Sequence, residues 1–209
     1  LLRYDTTNDT WLEPWGSTGI NGVNNAPVAV VGDILHLGLE GYGVARKDLV
    51  TGEILAPLTA GSGGVLPSNQ IYALESDGSN LYIGTQQGAR KWDGTQATSF
   101  RQGGSWQTRP QQFFDFEIDG SDIYAGTNIG VCKYDLSSLG IDDCQNVYDG
   151  MPNWATYSVG VDSLTVYGGT NSGVGIIDKS NFNVVEEENW GEGTQTGNAI
   201  VEIMGDIAY

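Results

Sequence analysis

One motif recurs along this chain at a nearly constant spacing, and this repeat constrains the fold more than any other feature. Three segments superpose, LYIGTQQGARKWD at 81–93, IYAGTNIGVCKYD at 123–135 and VYGGTNSGVGIID at 166–178, and LHLGLEGYGVARKD at 35–48 is a looser copy. The tyrosine of the motif recurs at Tyr82, Tyr124, Tyr167 and Tyr209, at intervals of 42, 43 and 42 residues, with His36 in its place in the looser copy. Such a period indicates an array of similar structural units.

Each repeat unit carries signals for four β-strands, which we name a to d. An apolar strand a precedes the motif and ends in a tight turn such as Asp-Gly-Ser-Asn, whose Asp-Gly pair tolerates positive φ. The motif supplies strands b and c around a Gly-Thr-x-x-Gly turn, and strand d follows it. Four antiparallel strands at this period are typical of a β-propeller blade, so the sequence predicts an all-β propeller.

A four-stranded blade is apolar on both faces, so neighbouring blades must cover it. The residues of strand a, the innermost strand, predict which side chains pack between blades. Strict alternation of side chains along a strand predicts two interblade core rows with a channel-lining row between them. The core rows are Val28, Tyr72, Phe114, Tyr157 and Val201, and Val30, Leu74, Phe116, Val159 and Ile203; the channel row is Ala29, Ala73, Asp115, Ser158 and Glu202.

The two ends of the sequence predict a fifth blade. LLRYD aligns Asp5 with the last residue of strand c in the other copies, and AIVEIMGDIAY supplies strands a and b up to Tyr209. We expect N-terminal strands c and d to pair with C-terminal strands a and b, which would close one domain, 1–209, as a five-bladed ring without exposed edges. The predicted blades are 27–70, 71–112, 113–155, 156–199, and 200–209 together with 1–26. The alternative is a segment of a propeller with six to eight blades.

The segment GVLPSNQIYALESDGSNLYIGTQQGARKWDG, 64–94, resembles the repeat of the two-component-regulator propeller family. The resemblance extends over four or five repeats, which is nearly the whole chain. It implies a propeller fold and an extracytoplasmic sensor or binding domain within a larger multidomain protein, often with seven blades in a ring. The LGLEGYG variant and the count of five repeats depart from that pattern, so the ring size stays open. The resemblance implies no particular ligand, since propellers carry unrelated functions.

Charge and composition exclude several classes of partner. The formal net charge is −17, from 26 acidic and 9 basic residues, and such a surface repels nucleic-acid phosphates. No run of 18 apolar residues is present, so we expect no membrane insertion. The acidity agrees with simple solubility, and a calcium-binding surface is the alternative, although no EF-hand-type loop supports it. We therefore predict no cofactor and an extracellular, periplasmic or cell-surface location.

Single residues of reactive type suggest structural roles. Cys132 in strand c and Cys144 in strand d flank one hairpin loop at equal distance, so they form either a cross-strand disulfide or two unrelated buried thiols. With His36 as the only histidine, these residues cannot complete a zinc site, and no metal site is predicted. The aspartates that end strand c are expected to accept backbone N–H groups in the following turn. They are Asp5, Asp48, Asp93, Asp135 and Asp178.

The b–c and d–a loops of a propeller emerge on one face, around the channel mouth. Amide side chains beside tryptophans on these loops suit sugar recognition and equally suit contacts with a protein. We therefore predict a non-enzymatic binding domain that recognises a glycan or protein partner through this face. The predicted binding residues are Glu40, Tyr42, Asn69, Gln86, Gln87, Trp106, Arg109, Gln112, Asn128, Trp154, Asn171 and Asn198.

Two carboxylates in the predicted channel row leave an enzymatic alternative. Asp115 and Glu202 would approach the propeller axis, as a catalytic pair in a glycosidase or lyase does. A water-filled channel that tolerates polar groups is the plainer interpretation of the same row. A third reading is an architectural repeat segment of a larger surface protein or of a designed protein.

Overall fold

Four antiparallel sheets of four strands each form most of the described chain. The computed structural model describes residues 3–5, 7, 9–12, 26–101, 109–189, 201, 203–204 and 207–208. In each four-stranded sheet the strands follow one another in chain order, each paired antiparallel with its neighbours. The fold is therefore all-β and propeller-like, as the repeat predicted.

The strand bounds follow the sequence period. An N-terminal hairpin has β1 (Arg3–Asp5) and β2 (Thr10–Leu12). Blade 1 has β3 (Val28–Val31), β4 (Ile34–Leu39), β5 (Gly43–Asp48) and β6 (Ile54–Leu58). Blade 2 has β7 (Ile71–Ser76), β8 (Leu81–Thr85), β9 (Gly88–Trp92) and β10 (Ala97–Ser99). Blade 3 has β11 (Phe113–Asp119), β12 (Asp122–Thr127), β13 (Gly130–Asp135) and β14 (Ile141–Gln145). Blade 4 has β15 (Thr156–Val161), β16 (Thr165–Thr170), β17 (Gly173–Asp178) and β18 (Asn183–Asn189), and a C-terminal hairpin has β19 (Ile203–Met204) and β20 (Ile207–Ala208).

The two terminal hairpins lie where the spacing of the repeat placed half-blades. β1 pairs with β2, and β19 pairs with β20, each as a separate two-stranded sheet. Among the described residues no strand pairing joins the two hairpins, and the sheets are not closed into a ring. Closure as a five-bladed ring, and the blade count itself, therefore remain predictions.

The hydrophobic core lies between successive blades, as expected for a propeller. Val44 and Leu58 of blade 1 share a buried cluster with Leu81 and Trp92 of blade 2. Between blades 2 and 3, the ring of Phe100 contacts the rings of Phe113, Phe116 and Tyr134 at centroid distances of 5.8, 5.6 and 5.1 Å. Tyr124 and Val131 of blade 3 pack with Val159, Val166 and Ile177 of blade 4.

The predicted assignment of the inner-strand rows is partly wrong, because each inner strand of blades 2 to 4 contains a β-bulge. The register with strand b shifts at Tyr72, Phe114 and Tyr157, where one extra residue interrupts the alternation of side chains. These three residues are only half-buried. In blade 1, where β3 pairs with β4 without a register shift, Val28 and Val30 are 50 % and 45 % exposed, contrary to the prediction. Ala73 and Ser158, predicted to line the channel, are instead buried. Leu74, Phe116, Val159 and Val201 are buried as predicted, whereas the side chain of Ile203 lies outside the described residues.

The Gly-Thr-x-x-Gly turns are explained by close backbone approach and by hydrogen bonding. A Cβ at Gly126 would lie 2.8 Å from the carbonyl oxygen of Thr156 in the next blade. The hydroxyl of Thr127 donates to the carbonyl of Gly130 at 2.9 Å and accepts the N–H of Ile129 at 3.1 Å. Gly130 itself has φ +113°, a conformation that other residues rarely adopt. The motif therefore encodes the tight b–c turn and the spacing between blades.

The aspartates at the end of strand c bind the turn that follows, which confirms the prediction at the four described side chains. Asp93 accepts the N–H groups of Thr95 and Gln96 at 2.8 and 2.7 Å. In blade 3, hydrogen bonds from the Ser137 hydroxyl and the Ser138 N–H lower the pKa of Asp135 to about 2. Asp48 and Asp178 accept equivalent N–H groups. These carboxylates are structural.

A cross-strand disulfide joins the two cysteines. Cys132 of β13 lies directly opposite Cys144 of β14, with 4.0 Å between their Cα atoms, and the two Sγ atoms are bonded. The bridge fastens the outermost strand of blade 3 to its neighbour, just before the d–a connection of that blade begins.

Candidate functional site

The b–c turns and the segments that enter strand a lie at the same end of each blade. Phe113 at the start of β11 pairs with Thr127 at the end of β12, and Ile71 pairs with Thr85 in the same way. Backbone bonds hold the turns against these segments: the N–H of Asn128 donates to the carbonyl of Gln112 at 3.2 Å. We call this surface, made of the b–c turns and the d–a connections, the loop face.

Two of the predicted binding residues hold the loop face together. The side-chain oxygen of Asn128 accepts the N–H groups of Gln111 and Gln112, at 2.9 and 3.0 Å. The side-chain oxygen of Asn69 accepts the N–H of Ala60 at 2.7 Å. Their amide oxygens are therefore engaged within the protein, and these residues position the loops around them.

Other predicted binding residues lie in the open on the same face. Tyr42 is 70 % exposed and Trp154 is 41 % exposed. Gln112, the residue just before β11, is half-buried. The remaining exposed members of the prediction are Glu40, Gln86, Gln87, Arg109 and Asn171. Trp106 and Asn198 lie outside the described residues.

A pair of exposed aromatic rings stands on the connection between blades 3 and 4. Tyr148 is 85 % exposed, and its ring meets that of Trp154 at a centroid distance of 5.0 Å and an interplanar angle of 90°. A 3-10 turn, 147–149, carries Tyr148: the side chain of Asn146 accepts the N–H of Tyr148 at 2.9 Å, and that of Asp149 accepts the N–H of Asn146 at 3.0 Å. This capping fixes the backbone that presents the ring to solvent.

An amide network joins the aromatic pair to the b–c turn of blade 4. Asn153 donates through Nδ2 to Oδ1 of Asn171 at 2.7 Å and to the hydroxyl of Ser172 at 3.0 Å. Its Oδ1 accepts the N–H of Trp154 at 2.7 Å. Trp154 is thereby held beside Asn171. We call Tyr148, Asn153, Trp154 and Asn171 the aromatic–amide patch.

The aromatic–amide patch combines apolar ring faces with hydrogen-bonding amides. Rings of this kind bury apolar surface at little conformational cost, and their polar ends and neighbouring amides pair with hydroxyl or peptide groups. The sequence predicted Trp154 and Asn171 but missed Tyr148 and Asn153. The signal that could have found them is Asn-Val-Tyr-Asp-Gly at 146–150, a capped turn that displays an aromatic residue.

A row of three half-buried rings extends the apolar surface at the same end of the blades. Tyr72, Phe114 and Tyr157 sit at the bulges near the start of β7, β11 and β15. The ring of Phe114 lies 5.4 Å from that of Tyr72 and 4.9 Å from that of Tyr157, measured between centroids. The bulges thus line up rings from three successive blades next to the loop face.

Asp115, a predicted catalytic candidate, links two blades. Its Oδ2 accepts the N–H of Val159 on the inner strand of blade 4 at 2.8 Å. Burial raises the pKa of Asp115 to about 6, and the Val159 N–H opposes the rise. Glu202 lies outside the described residues. The structure therefore gives Asp115 a structural partner, and the catalytic pairing with Glu202 remains an untested alternative.

The opposite face of the molecule carries an acidic cleft of about 560 Å³ between blades 2 and 3. Glu75, Asp77 and Glu117 line it. Burial, together with the charges of Glu75, Asp115 and Asp119, raises the pKa of Glu117 to about 7. Within the described residues no group of three or more His, Cys, Asp or Glu side chains is arranged to hold a metal ion. The absence of a cofactor stays a prediction, with calcium binding as its alternative.

His36 occupies the strand-b position that holds tyrosine in the other repeats. It is 2 % exposed, and its Nδ1 lies 3.1 Å from the carbonyl of Ile34. Burial and the nearby Arg46 lower its pKa to about 4. It is therefore a packed side chain that is neutral at pH 7. In the part of the chain that the structure describes, no helix has the length and apolarity needed to cross a bilayer.

Comparison with known proteins identifies the fold. No protein-family model and no curated protein matches the chain. Among solved structures, the chain is similar to the extracellular domain of a protein described as a hybrid two component system, BT4673 from B. thetaiotaomicron, with a TM-score of 0.68 and 18% identity. It is also similar to the extracellular domain of BT3049, described in the same words and from the same organism (TM-score 0.65, 12% identity), and to the computationally designed Ika8 protein (TM-score 0.60, 14% identity).

The aligned portions define how far this likeness extends. The matches cover 96%, 90% and 87% of this chain but only 27%, 30% and 53% of the respective structures. The chain therefore spans about half, or less, of the length of the structures it matches. At these identities the likeness establishes a shared propeller-type fold.

Proposed function

We propose that this chain is a non-enzymatic binding domain of a larger extracytoplasmic protein. It recognises a glycan or protein partner through the loop face. The observation that carries the proposal is the aromatic–amide patch, where the exposed rings of Tyr148 and Trp154 meet at 90° beside the Asn153–Asn171 amide pair. Exposed aromatic residues fixed by local hydrogen bonds are typical of recognition surfaces, since little side-chain freedom is lost on binding.

The proposed location and context rest on three independent features. The similar natural structures are extracellular domains of two-component-system proteins, and this chain corresponds to less than a third of each. The disulfide between Cys132 and Cys144 suits an oxidising compartment. The strongly acidic surface suits neither nucleic acid nor anionic lipid. These features support a ligand-binding module in a cell-surface or periplasmic protein, such as a sensor.

The experiment is an array of immobilised oligosaccharides probed with the wild-type protein, Trp154→Ala and Leu164→Ala. Leu164 is 75 % exposed on the a–b turn of blade 4, at the opposite end of the same blade, and serves as the matched control. We expect the wild type to bind and Trp154→Ala to lose at least about tenfold in affinity, as buried aromatic anchors do. Leu164→Ala should bind like the wild type.

Two array results would contradict the glycan form of the proposal. One is binding that survives Trp154→Ala, and the other is no binding to any glycan. In the second case the protein form is tested by cross-linking Tyr148→Cys or Leu164→Cys variants to co-purified partners. The loop-face position should capture a partner that the Leu164 position does not, and equal capture would refute the assignment of the face.

A further inference from the structure

A cavity of about 310 Å³ opens at the loop-face end of blade 2, separate from the aromatic–amide patch. Gln87 of the b–c turn and Arg90 of β9 form one wall. Ser99 and Phe100, at the end of β10, form another, and Arg109 on the connection to blade 3 completes the lining. Phe100 is almost fully buried, so the aromatic core forms the base of the cavity.

The charge of this cavity is opposite to that of the protein. Two of the nine cationic side chains of the chain line it, and no aspartate or glutamate is among its described lining residues. Nη1 of Arg90 donates to the carbonyl of Ala89 at 3.2 Å, and Ala89 is itself part of the lining. This bond holds the half-buried guanidinium at the cavity wall and uses one of its five N–H donors.

The chemistry of the lining selects an anion with hydroxyl groups. A guanidinium presents planar N–H pairs that match the two oxygens of a carboxylate. The amide of Gln87 and the hydroxyl of Ser99 add donors and acceptors suited to hydroxyl groups. The volume is at the small end of ligand pockets, about the size for one or two sugar rings.

The net charge of −17 further favours a small ligand over an acidic macromolecule. A polymer of like sign is repelled over the whole surface, whereas a single acidic sugar carries one charge to a locally cationic site. We propose that the cavity lined by Arg90 and Arg109 binds the carboxylate of a sugar acid. This rests on the proposed function only in treating the loop face as the binding surface.

The test is isothermal titration calorimetry on the full chain at low ionic strength, with glucuronate, glucose and acetate as probes. Glucuronate should bind, with an affinity at least about tenfold above those of glucose and acetate, since each of these lacks one half of the recognised chemistry. Arg90→Gln and Arg109→Gln should each weaken glucuronate binding by about tenfold or more. The control is Lys91→Gln, the same charge change on the next residue of β9, where Lys91 Nζ lies over the Tyr82 ring; it should bind like the wild type.

Three results would overturn the proposal: no glucuronate binding, equal affinity for glucuronate and either control probe, or unchanged affinity in both arginine variants. Circular dichroism of each variant excludes unfolding as the cause of a loss. Trp154→Ala separates this site from the aromatic–amide patch. Glucuronate binding that survives Trp154→Ala supports an independent site even if the array experiment fails, and binding lost in Trp154→Ala but kept in both arginine variants refutes the cavity.

Discussion

At the residue scale, the glycine before the threonine in the Gly-Thr turns of blades 2 and 3 (Gly84 and Gly126) sets how closely each blade approaches the next. The added Cβ of Gly126→Ala would lie 2.8 Å from the Thr156 carbonyl of the next blade, and backbone cannot move aside as a flexible side chain can. We expect the free energy of unfolding to fall by about 1–3 kcal/mol, the usual cost of overpacking. Urea denaturation monitored by tryptophan fluorescence measures it.

The matched control for this substitution is Gly140→Ala in the c–d loop of the same blade. Its added Cβ would meet only the hydroxyl oxygen of Ser138, at 3.1 Å, and a rotation of that side chain relieves the contact. Equal losses of unfolding free energy in the two variants would show that close approach to the next blade is not the reason for glycine at position 126.

Residue identity alone indicates the candidate site only in part. Trp154 and Asn171 were found because loop position and residue type suffice to mark an aromatic residue and an amide on the loop face. Asn69 and Asn128 are loop-face asparagines like Asn171, yet their side-chain oxygens accept backbone N–H groups within the protein. Which amide is engaged depends on loop conformation, and that is set by contacts such as Asn128 with Gln111, 17 residues away.

At the element scale, the strands of blades 1 to 4 were predictable because turn signals and the repeat agree on every boundary. The β-bulges at Tyr72, Phe114 and Tyr157 were not, since a bulge has no strong local signature in these segments. A bulge interrupts strict alternation, so the rule fails at the bulged residue and at the residue that follows it. This is why Ala73 and Ser158 are buried where a channel lining was expected.

The inner strand β11 predicts a pH dependence of stability. It carries Asp115, Glu117 and Asp119, and Glu117 also faces the charge of Glu75 on β7. Because burial raises the pKa of Glu117 from 4.5 to about 7, the folded state binds a proton more tightly than the unfolded state. The destabilisation from its charge therefore grows as the pH rises from about 4.5 through 7.

Glu117→Gln removes this charge and isolates its effect from that of His36, whose lowered pKa acts in the opposite direction. Urea denaturation at pH 8 and at pH 5 measures the free energy of unfolding. The variant should exceed the wild type at pH 8 and exceed it by less at pH 5. Glu53→Gln, at an exposed position of the c–d loop in blade 1, is the control and should show no such trend. A difference between Glu117→Gln and the wild type that does not change with pH would refute the account.

At the scale of the whole molecule, the spacing of the repeat correctly placed a hairpin near each end of the chain. The spacing could not determine whether the two hairpins pair with each other, because that depends on non-local strand pairing and on the total number of blades. We expect a five-bladed ring, in which case the protein is monomeric by light scattering and unfolds in one cooperative transition. Soluble oligomers held together through the half-blades would contradict closure.

Recognition on the loop face, as proposed, should be visible in the amide hydrogen exchange of the whole protein. We would compare exchange with and without the oligosaccharide that binds best on the array. We expect slowed exchange at 146–154 and 170–173, and no change at the c–d turns 93–96, 135–140 and 178–182. Protection confined to those c–d turns, or to the a–b turns at the same end of the blades, would contradict it.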